Sequence, residues 1–420
     1  VGVLEIADQL WRGVADIADH HPFHFGAEAA EIGDGTLFVS SFANVSALAT
    51  GDGMVLVDTG SQLLAPKVFE VLRDWSAERV DTAVYSHGHI DHVFGVHLYE
   101  AEAQRNDWVP PRVLAHEALP PRFDRYVLTA GYNEVVNQRQ FRVPGLRWPR
   151  EYRYPDETYR DTHTFELGGE RFELHHARGE TDDHTWTWIP GRRIVCSGDM
   201  FIWASPNAGN PQKVQRYPKE WALALREMMA LEPEILLPGH GLPVVGADRV
   251  QTALLDTAML LESLHDQTVA MMNAGARLDE IIHTVRAPAE LLAKPYLRPV
   301  YDEPEFVVRN VWRLYGGWYD GNPAHLKPAR DAAVAQEIAA LAGGAARLAA
   351  RARELAGHGD DDSLRLAGHL VELATQADPD DRDVHAARAD VFERRVAAEA
   401  STMSRGVFAW AADESRRATE

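Results

Sequence analysis

One cysteine in 420 residues, Cys196, leaves no partner for an intrachain disulfide. It sits in the apolar run Ile194-Val195-Cys196 and reads as a core residue, not a nucleophile. Long apolar runs are missing too: none approaches the roughly 18 residues a membrane span needs. Residues 1–25 lack the basic-then-apolar pattern of an export signal. The chain begins at Val1, not Met, so a signal ahead of it stays open, and a cytoplasmic location is the expectation. Positive charge is scarce. Lys and Arg total 42 against 63 Asp and Glu, a formal net charge of −21. That excludes the broad basic face a nucleic-acid partner requires.

What is present is a globular composition, 45% apolar and 25% charged, in a chain long enough for two domains. Residues 1–250 alternate short strands with helices. The spacing predicts strands at 37–39, 45–49, 54–58, 80–85, 113–115, 171–175, 186–189, 194–197 and 235–237, with a helix at 67–76. Residues 251–420 read as helices only: 252–272, an aromatic stretch at 306–319, 332–356, 364–377 and 381–400. Small residues at the crossings are similar to an α-solenoid, without a clean period. Seven arginines (122, 125, 139, 142, 147, 150, 153) stand against three acids between Pro120 and Arg153. This is either a local steering surface for a small anion or a solvated loop face.

The chemistry concentrates in His87-Gly88-His89-Ile90-Asp91-His92, directly after the strand-like run 80–85. Imidazole nitrogen and carboxylate oxygen are the ligands expected for Zn²⁺ and similar divalent ions. His87 and His89, at alternate positions, can face one cation. Asp91 and His92 can face a second. Two such cations would bring the pKa of a shared water toward 7 and yield hydroxide without a protein base.

The order H-x-H-x-D-H resembles the metallo-β-lactamase superfamily. That resemblance implies an α/β fold, the αββα sandwich, and two divalent metal ions per chain, Zn²⁺ foremost. It implies the metal ligands His87, His89, Asp91, His92, Glu180, Asp199 and His240, with Asp91 and Asp199 also catalytic. Asp199, in Ser197-Gly198-Asp199, takes the position of the carboxylate that bridges both ions, and His240 lies in Pro238-Gly239-His240-Gly241. Asp58, in Val57-Asp58-Thr59-Gly60, is expected to orient a ligand or the motif loop; a plain strand-end cap is the alternative. The segment His175-His176-Ala177-Arg178-Gly179-Glu180-Thr181-Asp182-Asp183-His184 holds Glu180 where most of the superfamily has a third histidine. His184 competes for that slot or supports the ligands from behind, and His175 and His176 read as strand-end or surface residues.

Glu180 in that slot, and a helical second half, resemble the alkyl sulfatase family. The stretch from Val308-Arg309-Asn310-Val311-Trp312-Arg313 through Asn322-Pro323-Ala324-His325-Leu326 is similar to the distinctive part of that family's dimerisation domain. Phe42-Ala43-Asn44-Val45 and Leu341-Ala342-Gly343-Gly344-Ala345 match the family more weakly. The resemblance implies an all-α dimerisation domain over 251–420 and a homodimer. Tyr301, Phe306, Trp312, Tyr315, Trp318 and Tyr319 cluster within nineteen positions and are the expected interface aromatics, docking of the helices on the catalytic domain being the alternative for any single ring. It also implies hydrolysis of alkyl sulfate esters.

Departures concern the substrate. Asp199-Met200 stands where the family has Glu-Asn. A His/Arg segment is replaced by Phe201–Asn207 and Lys213-Val214-Gln215-Arg216, and the sequence stops short of the family's usual sterol-carrier-like domain. Tyr132, Arg139, Lys213 and Arg216 are the substrate-binding candidates for a small anionic or ester substrate. A lactonase, thioesterase or phosphodiesterase of the same fold competes with the sulfatase reading. A non-catalytic dimeric binding protein is the remote third.

Overall fold

Residue alternation in the early strands decides which face each side chain takes. The computed structural model describes residues 2–33 and 35–420. In the first sheet β1 (Glu28–Glu31), β2 (Thr36–Ser40), β3 (Val45–Ala49), β4 (Met54–Val57), β5 (Val80–Val84), β6 (Arg112–His116) and β7 (Glu157–Tyr159) lie in sequence order. β1 to β4 pair antiparallel and β4 to β7 parallel. The second sheet runs β13 (Val244–Val245), β12 (Ile235–Pro238), β11 (Ile194–Gly198), β10 (Thr185–Ile189), β9 (Glu170–His176), β8 (Thr162–Leu167), with β11 and β12 its parallel pair.

One face of the first sheet, carrying Val39, Leu56 and Ala83, packs under helices Ala65–Trp75 and Val96–Asn106 through Val68, Leu72 and Tyr99. The other face, with Phe38, Val55 and Val84, meets Phe172, Leu174 and Cys196 of the second sheet. Side chains two apart share a face, so each apolar strand serves both layers. Helix Pro218–Ala230 packs on helix Ala247–Asn273, tied by a two-pronged Arg226–Glu262 ion pair at 2.7 Å and by Gln251 Nε2 donating to the Met229 carbonyl. The architecture is a mixed α/β sandwich followed by an all-helical region.

The chain forms two compact units, and they do not divide at residue 250. The first comprises Val1–Ala130, Pro149–Ala276 and Glu280–Gly316; the second comprises Gly131–Trp148, Arg277–Asp279 and Gly317–Glu420. Helix Ala247–Asn273 stays with the sandwich because its apolar face covers helix Pro218–Ala230, and helix Pro304–Tyr315 packs on it in turn. Conversely, helix Ala130–Phe141, inside the arginine-rich stretch, belongs mainly to the second unit. Gly406 there lies so close to the Gln140 carbonyl that a Cβ would sit 2.1 Å from it.

The second unit stacks helices Asp331–Ala342, Ala345–Ala356, Asp361–Ala377, Arg382–Ala398 and Thr402–Thr419 around Leu348, Ala352, Ala367, Val371, Val384 and Val391. The single helix expected at 332–356 is two, because Gly343 and Gly344 take φ of 90° and 114°. Those values suit glycine and end a helix. Asp360, Asp381 and Ser401 cap the last three helices through backbone N–H groups.

Cys196 is 2% exposed between the sheets, and burial pushes its thiol up to about 12. Native protein should therefore not react with a maleimide at pH 7, while denatured protein takes one label per chain. Rapid labelling of the native state would contradict this packing.

Candidate metal centre

Strand ends deliver every ligand candidate. The chain leaves β4 at Asp58, whose φ of 60° is unusual for a residue with a side chain and turns its carboxylate under the next strand end. One carboxylate oxygen accepts the Ser86 N–H at 2.7 Å. The other accepts the Ser86 hydroxyl and His92 Nδ1–H, both at 2.7 Å. Ser86 Oγ, its own proton given to Asp58, accepts from His87 Nδ1 at 3.0 Å. Both histidines thereby present Nε2 to the centre. His240 is fixed the same way, its Nδ1 donating to the Phe42 carbonyl. A hydrogen bond to one ring nitrogen selects the tautomer that offers the other.

Two donor groups result. His87, His89, Glu180 and Asp199 form one, and Asp91, His92 and His240 the other; within each, the ligand atoms lie within 4.8 Å of one another. Asp199 faces both: Oδ2 is 3.7 Å from His87 Nε2 and 3.2 Å from His240 Nε2, and Oδ1 is 3.4 Å from His92 Nε2. Asp91 Oδ2 is 3.5 Å from His240 Nε2 and 3.7 Å from His92 Nε2. His87 Nε2 and His89 Nδ1 approach to 2.7 Å.

The donor set fits divalent cations. His92 Nε2, Asp199 Oδ1 and Glu180 Oε2 are buried and, among the described residues, make no hydrogen bond. Such atoms are costly to bury unless something satisfies them. Burial pushes His87 and His89 well below the ordinary imidazole range, which keeps them neutral, the form that binds metal. Burial also drives Glu180 well above the ordinary carboxyl range, with Asp199 adding to it. At His92 burial opposes charging, but Asp199, Asp58 and Asp91 outweigh it and lift the ring well above its usual range. At Asp199 burial is outweighed by His240, His92 and His87, which hold the carboxyl well below its usual range. Cations placed among these carboxylates would satisfy all of them.

Other candidates fall around this centre or away from it. His184 is outside both donor groups; its Nε2 accepts the Asp199 N–H at 3.1 Å, so its lone pair positions the shared carboxylate. His175 and His176 lie in β9, stacked on Trp186 and His116 respectively. Arg216 is buried, its Nη2 3.5 Å from Glu180 Oε1, and Lys213 is half-buried on the same loop. Tyr132 and Arg139 lie in helix Ala130–Phe141, in the second unit, and Tyr132 is exposed.

Several contributors escaped sequence reasoning. Asn207 donates to Glu180 Oε1. Asp183 accepts the Gly88 N–H at 2.9 Å and Arg122 Nε at 2.7 Å, so Arg122 is a buried brace, not a steering charge. Asn44 Nδ2 donates to the Pro238 and Gly241 carbonyls at 2.9 and 3.0 Å and holds the turn that carries His240. Only Asn44 had a sequence signal, in Phe42-Ala43-Asn44-Val45.

Residues 40–240 match the family described as Metallo-beta-lactamase superfamily, and residues 277–418 the family described as Alkyl sulfatase dimerisation. The chain thus carries a metallo-beta-lactamase-superfamily match in its first part and an alkyl sulfatase dimerisation match in its last part. It is 28% identical over 369 residues to a linear primary-alkylsulfatase of Pseudomonas sp., covering 82% of this chain and 68% of the relative. It is 26% identical over 381 residues to an (R)-specific secondary-alkylsulfatase of Pseudomonas sp., spanning 84% of this chain but 57% of that protein. The solved stereoselective inverting sec-alkylsulfatase Pisa1 from Pseudomonas sp. has the same fold, with TM-score 0.84 and 24% identity over 94% of this chain and 66% of that one. The dimerisation match includes helix Pro304–Tyr315, which the fold assigns to the sandwich unit.

Glu180→Gln should reduce the metal held by the group containing His87 and His89, because an amide is a poorer ligand than a carboxylate. His184→Ala should cost less. Elemental analysis showing the reverse order would sink Glu180 as the third ligand.

Proposed function

We propose that this chain is a binuclear metal-dependent hydrolase of alkyl sulfate esters, assembled as a homodimer and holding two divalent ions, Zn²⁺ foremost, per chain. One observation carries the reading: Asp199 faces two adjoining donor groups at once, Oδ2 lying 3.7 Å from His87 Nε2 of one and 3.2 Å from His240 Nε2 of the other, with Oδ1 3.4 Å from His92 Nε2. His87, His89, Glu180 and Asp199 would hold one ion, and Asp91, His92, His240 and Asp199 the other. Such a pair supplies Lewis acidity, making a water acidic near neutral pH and neutralising charge on the reacting ester. The alkylsulfatase relatives support the substrate class, and the matched dimerisation family supports the assembly.

The chain's own residues perform the rest. Asp58 and Ser86 hold His87 and His92 in the ligating tautomer, and His184 holds the backbone of Asp199. Asn207 and Arg216 orient Glu180. Lys213 and Arg216 supply positive charge for an anionic ester, which a lactone or thioester would not demand. The dimer surface lies in the second unit, where Trp318 (73% exposed) and Leu341 (88%) are available. Of the expected interface aromatics, Tyr301 is buried in the sandwich unit, so it is not an interface residue.

The test is an activity panel of alkyl sulfates, lactones, thioesters and phosphodiesters on metal-loaded protein, with light scattering and elemental analysis. Alkyl sulfate turnover should dominate, disappear with strong chelation and return with Zn²⁺. The mass should be twice the 46.8 kDa chain and the metal content about two ions per chain. Turnover of another ester class without sulfatase activity, or activity persisting with trace metal, would replace the reading.

Burial, with Arg216 adding to it, lowers Lys213 to about 7. It is therefore charged below pH 7 and loses charge as pH rises through that value. KM for an alkyl sulfate should rise across this range, and Lys213→Met should raise KM about tenfold at pH 6 and remove that limb. A pH-independent KM in the native protein would remove Lys213 from substrate binding.

A further inference from the structure

Helix Pro304–Tyr315 falls within the segment matched to a dimerisation family, yet its buried polar side chain, Asn310, is turned on the loop that leaves Asp199. Asn310 is 3% exposed and uses both ends of its amide. Nδ2 donates to the Arg216 carbonyl at 2.9 Å, and Oδ1 accepts from Gln215 Nε2 at 3.0 Å, Arg216 N at 3.3 Å and Arg313 Nη2 at 3.0 Å. A buried amide satisfied on both sides specifies one loop conformation; an apolar replacement leaves several buried groups unpaired.

The other end of the loop is held by Asp302, just ahead of the same helix. Its carboxylate is fully buried and accepts the N–H groups of Gly209 at 2.6 Å, Asn210 at 3.2 Å and Glu303 at 2.7 Å. Gly209 touches the helix backbone so closely that a Cβ would come within 2.5 Å of Phe306 and Val307. The loop is thus pinned at 209–210 and at 215–216, with Lys213 between. Just outside the first pin, Asn207 donates to Glu180. At the second, Arg216 Nε reaches the Asn207 carbonyl at 3.3 Å and Nη2 reaches Glu180 Oε1 at 3.5 Å.

We infer that Asn310 is a positioning residue of the site: through the 207–216 loop it sets Lys213 and Arg216 against the anionic end of the substrate. Its four side-chain contacts go to Gln215, Arg216 and Arg313. The inference rests on the hydrolase reading for its substrate, but not for the loop.

The experiment compares full-length, metal-loaded wild type, Asn310→Ala and the isosteric Asn310→Asp. Amide hydrogen exchange over 209–216 is measured with and without inorganic sulfate, beside metal content, mass and steady-state kinetics. In Asn310→Ala, exchange over 209–216 should rise at least tenfold and the sulfate concentration needed for protection about tenfold. KM for an alkyl sulfate should rise more than kcat falls, with metal content and oligomeric mass unchanged. Asn310→Asp keeps the acceptor and loses the donor; it should lie between, and it carries the test if the alanine variant does not fold. Wild-type exchange and sulfate protection in these variants overturn the proposal, as does loss of oligomeric mass with the loop unaffected. A protein inactive on every sulfate ester defeats the hydrolase reading alone, because exchange is measured without turnover.

Discussion

The buried carboxylate of Asp58 is the point on which the centre turns. It accepts three hydrogen bonds at 2.7 Å, two from Ser86 and one from His92, and through Ser86 it reaches His87. One side chain therefore selects the tautomer of an imidazole in each donor group. It can do so because the chain turns at a left-handed φ immediately after β4, while the Asp58 N–H still bonds to the Val84 carbonyl of the parallel neighbour at 2.8 Å. Strand pairing, backbone turn and ligand chemistry are one continuous arrangement here. Removing the charge would loosen both groups together.

The second sheet meets this arrangement from the opposite side. β11 and β12 are parallel neighbours, so Asp199 and His240, which follow them, emerge side by side. The Gly239 N–H bonds to the Gly198 carbonyl at 2.8 Å, and a Cβ on Gly239 would lie 2.1 Å from Asp199 Oδ1. Glycine at that position is what allows the shared carboxylate and the last histidine to approach. The two sheets are joined at the same rim by the Thr185 N–H to the Ser86 carbonyl, at 2.6 Å. A rigid frame with ligands at its strand ends lets the surrounding loops vary without disturbing the donors.

The helices after residue 250 divide between two tasks. Helices Ala247–Asn273 and Pro304–Tyr315 extend the sandwich, one covering helix Pro218–Ala230 and the other bracing the loop after Asp199. The aromatic stretch that looked like one dimerisation element is cut at Gly316. Tyr301 packs 4.1 Å from Phe23, which itself lies 4.1 Å from the His240 ring, whereas Trp318 is exposed in the second unit. Aromatic density marks burial; it does not say against what.

What the sequence by itself determined was the local chemistry: a six-residue run with four candidate ligands, strands with period-two alternation, and glycine turns before Asp199 and His240. These signals sit within a few residues of one another, and short-range geometry reads them directly. The strand predictions at 45–49, 54–58 and 80–85 agree with the structure to within one residue, because alternation and turn residues bound them on both sides. The tertiary structure decided everything that depends on distant partners. Asn207, Asp183 and Asp302 carry no motif and Asn310 lies in one read as a dimerisation element; each acts on a residue 27 to 95 positions away. The same holds for the unit boundary: amphipathic helices announce that they have an apolar face but not which neighbour covers it. Long-range packing and buried polar pairing are properties of the folded chain, because only folding brings those groups within hydrogen-bond reach.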